Sequence, residues 1–194
     1  MRDWQELLRY PLADDKWILK VIIGSLIMLV PVVNLLLLGY AIACIELGMR
    51  GRRRLPDWDA WQDYIRDAVS ASLIVLAYLI IPMALTVILS HIPLIGILLG
   101  AILIFLTGAL TPMALAAFAM RRDISDAFSL IDIIHQISSH LELYLSGYLF
   151  LILSTCLGLI LIIVLPYLAC LWSILVFWSL VVFSYLTGCL ARGV

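Results

Sequence analysis

Glu46, Asp57, Asp59 and Asp63, with Arg52, Arg53 and Arg54 among them, form the densest run of groups able to do chemistry. At lipid-headgroup depth, such carboxylates supply acid–base groups and such arginines supply phosphate contacts. A membrane enzyme acting on lipid headgroups is therefore one function this run allows, and simple contact with anionic lipid is another. Nothing else in the chain strengthens catalysis. There is no Walker loop, GxSxG or HExxH, and no carboxylate pair inside an apolar run. His135 and His140 stand five apart and diverge around a helix, and His91 has no second ligand near it in sequence. The four cysteines sit in apolar runs without CxxC spacing and read as small hydrophobes. No cofactor and no metal are expected.

The elements that must hold these groups are written in the charge pattern. Ionised side chains fall only within Arg2 to Lys20, Glu46 to Asp67, Arg121 to Glu142 and at Arg192. The runs between them are uncharged, the chain is 65% hydrophobic, and several runs exceed the ~18 residues that mark a membrane span. The expectation is one all-α integral membrane domain over residues 1–194. A net charge of -1 argues against nucleic acid as a partner. Met1 to Lys20 mixes acids, bases and aromatics, unlike a cleavable signal peptide.

One plan recurs three times, over residues 2–49, 55–120 and 123–191: an amphipathic segment, an apolar run, a proline-marked turn and a second apolar run. The turns fall at Pro31 with Asn34, at His91 with Pro93, and at Pro166. Three helical hairpins, about six spans, put every ion on one membrane face and leave all three turns uncharged. The positive-inside rule makes that face cytoplasmic, with both termini inside the plasma membrane. The first hairpin is short: Trp17 to Val30 is about 21 Å of helix against a ~30 Å hydrocarbon core. The rival is one Pro31-kinked helix from Trp17 to Met49, giving five spans and placing Lys16 and Lys20 outside.

Each hairpin is expected to follow an amphipathic interfacial helix. Leu55 to Asp67 is the clearest, with Pro56 in its first turn and Trp58, Trp61 and Ile65 on one face. Trp4, Trp58 and Trp61, with Arg52, Arg53 and Arg54, are the candidate lipid or partner contacts. Candidates for turning or helix packing are Pro31, Asn34, Gly39, Tyr40, His91, Pro93, Gly96, Gly100 and Pro166. Gly96–Gly100 and Ser184–Gly188 are small-residue steps suited to close helix contact, within one chain or between copies. Glu46 and Arg50 stand at ion-pair spacing on one helix.

The order Tyr10-Pro11, Trp17, Pro31, Gly39-Tyr40, Gly51, Leu55-Pro56, Trp58 and Trp61 resembles a prokaryotic membrane family catalogued as a domain of unknown function, with a YP … P … GY … G … LPxW progression. The chain also looks distantly like multi-span domains of Golgi-trafficking and phosphodiesterase-associated modules, in which an amphipathic helix precedes each hairpin. The resemblance implies an all-helical, six-span layout and brings no catalytic residues. The function expected is a non-enzymatic accessory, scaffolding or lipid-organising membrane subunit, in contact with lipids and with other subunits or its own copies. The alternative is a small, homo-oligomeric transporter or channel.

Overall fold

The computed structural model describes residues 4–92, 95–165 and 168–192, and every regular element among them is helical. After α1 (Trp4–Leu8) come α2 (Trp17–Leu29), α3 (Leu36–Met49), α4 (Trp61–Leu89), α5 (Ile95–Arg121), α6 (Leu130–Ser139), α7 (Leu141–Val164) and α8 (Ala169–Ala191). Four of these, α4, α5, α7 and α8, are long and apolar enough to cross a membrane. Helices α2 and α3 are equally apolar but only 13 and 14 residues long.

Helix α8 is the centre of the bundle. Its most apolar stretch is 67% buried, against 17% for α4 and α5, and it packs on α2, α3, α5 and α7. Small residues allow the approach. Gly188 faces the backbone of Ile45 on α3, and Gly48 faces the backbone of Tyr185, so neither site has room for a Cβ. The hydroxyls of Ser173, Ser179 and Thr187 donate to carbonyls of α8 itself, which satisfies them without a partner helix. The glycine step Gly96–Gly100 likewise packs α5 against Leu89 and Thr86 of α4. Both small-residue steps are therefore filled within one chain.

Two helix ends set the geometry of the polar face. Helix α3 stops in a Schellman motif: the N–H of Gly51 donates to Gly48 and that of Arg52 to Leu47, with Gly51 at φ 66°. Helix α5 stops at Arg122, which takes the same left-handed conformation at φ 59° without being glycine.

Several expectations change here. Trp17 to Met49 is two helices rather than one kinked one, because the chain turns over Val30–Leu35 with Val32 at φ 70°. Pro31 and Asn34 lie in that turn, where Asn34 contributes its backbone N–H to the Val30 carbonyl rather than a side-chain cap. Gly39 and Tyr40 do not turn the chain. They sit inside α3, Gly39 against the backbone of Tyr64 and Tyr40 fully buried. His91 does cap, its Nδ1 lying 3.1 Å from the Ile88 carbonyl at the end of α4. Pro93 and Pro166 lie outside the described residues.

The amphipathic segments also divide. The third is a helix, α6, with Ile133 buried and Ile131 and Ile134 exposed. The second is not a separate helix. Leu55–Ala60 is a loop, and Trp61 opens α4, which runs unbroken to Leu89. Tertiary partners outweigh the helical signal of Pro56 and the acids, because the loop is claimed by residues of α2 and α3.

Candidate functional site

The loop from Arg50 to Ala60 folds back over the start of α2, and one lysine explains why. Lys20 lies one turn inside an apolar helix and is only 6% exposed. A buried ammonium must be paired. Its Nζ meets Asp14 Oδ2 at 2.7 Å, Asp57 Oδ1 at 2.7 Å and the Leu55 carbonyl at 2.9 Å. Asp14 also accepts the Lys16 and Leu55 amides, at 2.9 and 3.1 Å. Burial on its own raises the Asp14 carboxyl, but the Lys20 hydrogen bond and these amides outweigh it and hold the group below the usual carboxylate range.

Aromatic groups complete the clamp. Trp58, 7% exposed, gives its indole N–H to the Lys20 carbonyl at 3.1 Å and stacks on Tyr40 with ring centroids 4.3 Å apart. Tyr40 donates to the Pro56 carbonyl at 3.2 Å, and Tyr64 donates to the Asp57 carbonyl. Tyr10, stacked on Tyr185, donates to the Arg54 carbonyl at 2.7 Å, and Arg53 pairs with Glu6 at 3.0 Å. Trp58 is thus core, a correction to its expected place at the lipid interface. Trp61, by contrast, is 42% exposed.

Beside the clamp lies a charged basin of about 320 Å³ walled by α3, the loop, the first turns of α4 and Arg122. It gathers Glu46, Asp57, Asp59 and Asp63 as the sequence suggested, with Arg54 from the arginine run; Arg52 and Arg53 are exposed outside it. Residues that the sequence did not single out complete it: Asp67, Arg66 and Arg122. Arg122 ties three helices, one guanidinium nitrogen on Asp67 of α4 and the other on Glu46 of α3. Glu46 also takes Arg50 at 3.4 Å, the expected ion pair. Asp63 takes Arg66 at 3.5 Å, and Asp57 is held by Lys20. The acids are therefore interleaved with cations, an arrangement suited to bracing a loop. Among the described residues, no group of three His, Cys, Asp or Glu side chains is placed to hold a metal.

Next to the basin along α4 lies a second depression, an apolar groove of about 540 Å³. The α2–α3 turn (Val32, Val33, Leu35, Leu36) forms one wall, and Trp61, Ile65, Ala68, Val69, Ser72 and Leu73 form the other. The groove runs along α4 no further than Leu73, although α4 continues to Leu89.

Trp4 belongs to α1, and its side chain lies outside the described residues. The pattern of the family described as "Protein of unknown function (DUF4013)" matches residues 22–171, from α2 into α8. The chain belongs to that family. The DUF4013 match takes in the basin and the groove, and of the clamp it takes in Tyr40, Leu55 to Trp58 and Tyr64 but not Tyr10, Asp14, Lys20 or Tyr185. No curated protein and no solved structure matches the chain.

Proposed function

We propose that this DUF4013 chain is a non-enzymatic membrane protein that inserts a half-depth helical hairpin into one leaflet and organises lipid around it, as an accessory or scaffolding subunit. In this arrangement α4–α5 and α7–α8 are full hairpins and α2–α3 is a short one, three in all. The ionised groups lie at the cytoplasmic face of the plasma membrane together with both termini. The pairs Lys20–Asp57, Arg53–Glu6 and Arg122–Asp67 support a single polar face, since they join the start of α2, the end of α3, the start of α4 and the end of α5.

The observation that carries the proposal is the α2–α3 turn. From Lys20 up to the turn, and from the turn back to Glu46, its helices rise only about 15 Å, half of the ~30 Å hydrocarbon core, and the turn exposes Val32, 78% accessible, with Val30, Val33 and Leu35. A turn at a water boundary favours polar residues, whereas this one contributes Asn34 alone. It also meets much of its own backbone demand, with N–H donation from Asn34 to Val30, from Leu35 to Val32 and from Leu36 to Val33. Such a turn tolerates immersion in hydrocarbon. Four apolar residues at mid-depth displace acyl chains in one leaflet, which is a mechanical effect on lipid that needs no catalytic group.

The test is a depth measurement. Cys44, Cys156, Cys170 and Cys189 are replaced and one cysteine is placed at Val32, then challenged with a membrane-impermeant maleimide from each side. Shielding from both sides, with bimane fluorescence at that cysteine quenched most by mid-chain brominated lipid, is the expected result. Rapid labelling from the face opposite Arg53 means that the pair spans, and the half-depth placement is wrong.

A further inference from the structure

We infer that the groove between the α2–α3 turn and α4 seats one glycerophospholipid, its phosphate on Arg66 and one acyl chain under the turn. This rests on the half-depth placement, because only a hairpin that stops inside the leaflet leaves the groove in contact with hydrocarbon. Arg66, Val69 and Leu73 follow one another at i, i+3 and i+7, so they form one stripe along α4 that leads from the polar face into the groove. At the top of the stripe the Arg66 guanidinium is largely exposed. It touches Asp63 at 3.5 Å and Asp67 at 3.8 Å, and Asp67 is already matched by Arg122. A weakly held planar cation at the polar end of this stripe is complementary to a phosphodiester at headgroup depth. Below it the wall is aliphatic, with the Ser72 hydroxyl as its one polar side chain apart from the Trp61 indole N–H.

The shape of the walls favours a flexible chain over a rigid helix. Helices associate in membranes through small residues that let backbones approach. In this chain Gly39, Gly48, Gly96, Gly100 and Gly188 already face atoms of neighbouring helices of the same chain. The groove presents branched and bulky side chains instead, Val33, Leu36, Ile65 and Val69 among them. It is also continuous with the exposed aliphatic face of α4 at Leu73, Leu76 and Ile80, which bilayer lipid covers in the proposed topology. An acyl chain conforms to such a wall, whereas a second copy has no flat, small-residue strip to meet.

Native mass spectrometry of the full chain, released from micelles doped with palmitoyl-oleoyl phosphatidylglycerol, tests this. The wild type should retain one such lipid. Val69→Trp, which fills the groove from a lipid-facing position, should lower retention about tenfold, and Arg66→Gln severalfold. Palmitoyl-oleoyl glycerol, which lacks the phosphate, should bind alike to wild type and Arg66→Gln, and inorganic phosphate alone should not compete. Circular dichroism and a monodisperse elution profile show whether each variant is folded. Equal retention in wild type and folded Val69→Trp overturns the site, as does a dimer that Val69→Trp abolishes. Labelling of the Val32 cysteine from the far side removes the half-depth premise. A shielded Val32 with lipid counts insensitive to Val69 removes the groove alone.

Discussion

Trp58 donates its indole N–H to the backbone carbonyl of Lys20, 38 residues earlier, at 3.1 Å. That bond closes a loop that hydropathy places outside the core, and it separates two tryptophans that look equivalent in sequence. Trp58→Ala removes a buried ring, a stack on Tyr40 and a hydrogen bond, and should cost about 3–5 kcal/mol. Trp61→Ala trims a half-exposed ring and should cost under about 1 kcal/mol. At roughly 2–4 °C per kcal/mol for a chain of this size, thermal melting in detergent separates the two variants easily. Equal shifts would return Trp58 to the lipid interface.

The Lys20 clamp should carry an acid limb. The Asp14 carboxyl sits below its ordinary value, so its stabilisation is complete above the unfolded carboxylate pKa of about 4 and fades as pH falls through the lower folded value. Melting temperature should therefore be insensitive to this group from pH 8 to about 5 and fall below about 4. Asp14→Asn should remove that part of the acid dependence and lower stability at pH 7 by roughly 3 kcal/mol, because Lys20 keeps Asp57 but loses its more buried partner. A variant with an unchanged acid limb would assign the dependence to other carboxylates.

Arg122 carries a backbone cost that its contacts offset. A non-glycine residue in the left-handed region pays about 1–2 kcal/mol, yet this one bridges Asp67, 4% exposed, and Glu46. Arg122→Gly relieves the backbone but leaves buried Asp67 only the longer contact to Arg66 at 3.8 Å, so a net loss of roughly 2–4 kcal/mol is expected. Arg122→Lys should recover little, since Asp67 and Glu46 are met by two separate guanidinium nitrogens and a single ammonium nitrogen has to reach both from one point. Chemical denaturation of the two variants decides it, and full recovery by lysine would show that charge alone suffices.

The four long helices were legible because a span declares itself locally, by length and the absence of charge. The α2–α3 turn was legible for a similar reason, since Pro31 and Asn34 interrupt an apolar run near its middle. Leu55 to Ala60 misled because Pro56 and the nearby acids carry a helix-start signal while their partners, Lys20, Tyr40 and Tyr64, lie elsewhere in the chain. Lys20 itself was the missed clue. An amine one turn inside an apolar helix demands buried acids, and Asp14 and Asp57 flank it in sequence. The basin acids were recognised as a set, but their pairing with Arg122 depends on α5 returning beside α3 and α4, a relationship that no local pattern encodes.

The tightest constraint lies between α3 and α8, where glycine faces backbone in both directions. A Cβ on Gly188 runs into the main chain of Ile45, and one on Gly48 runs into that of Tyr185. Backbone cannot yield as a side chain does, so the helices must move apart along a face that buries Ile42, Ile45, Tyr185 and Leu186. Gly188→Ala should cost at least about 3 kcal/mol and Gly48→Ala a similar amount. Because either substitution forces the same separation, the double variant should cost less than the sum of the two. Gly108→Ala offers the contrast, since its Cβ meets only the hydroxyl end of Tyr148, which rotates aside. Thermal melting of the four proteins gives the comparison, and strict additivity of the first two would mean that the glycines act at independent contacts.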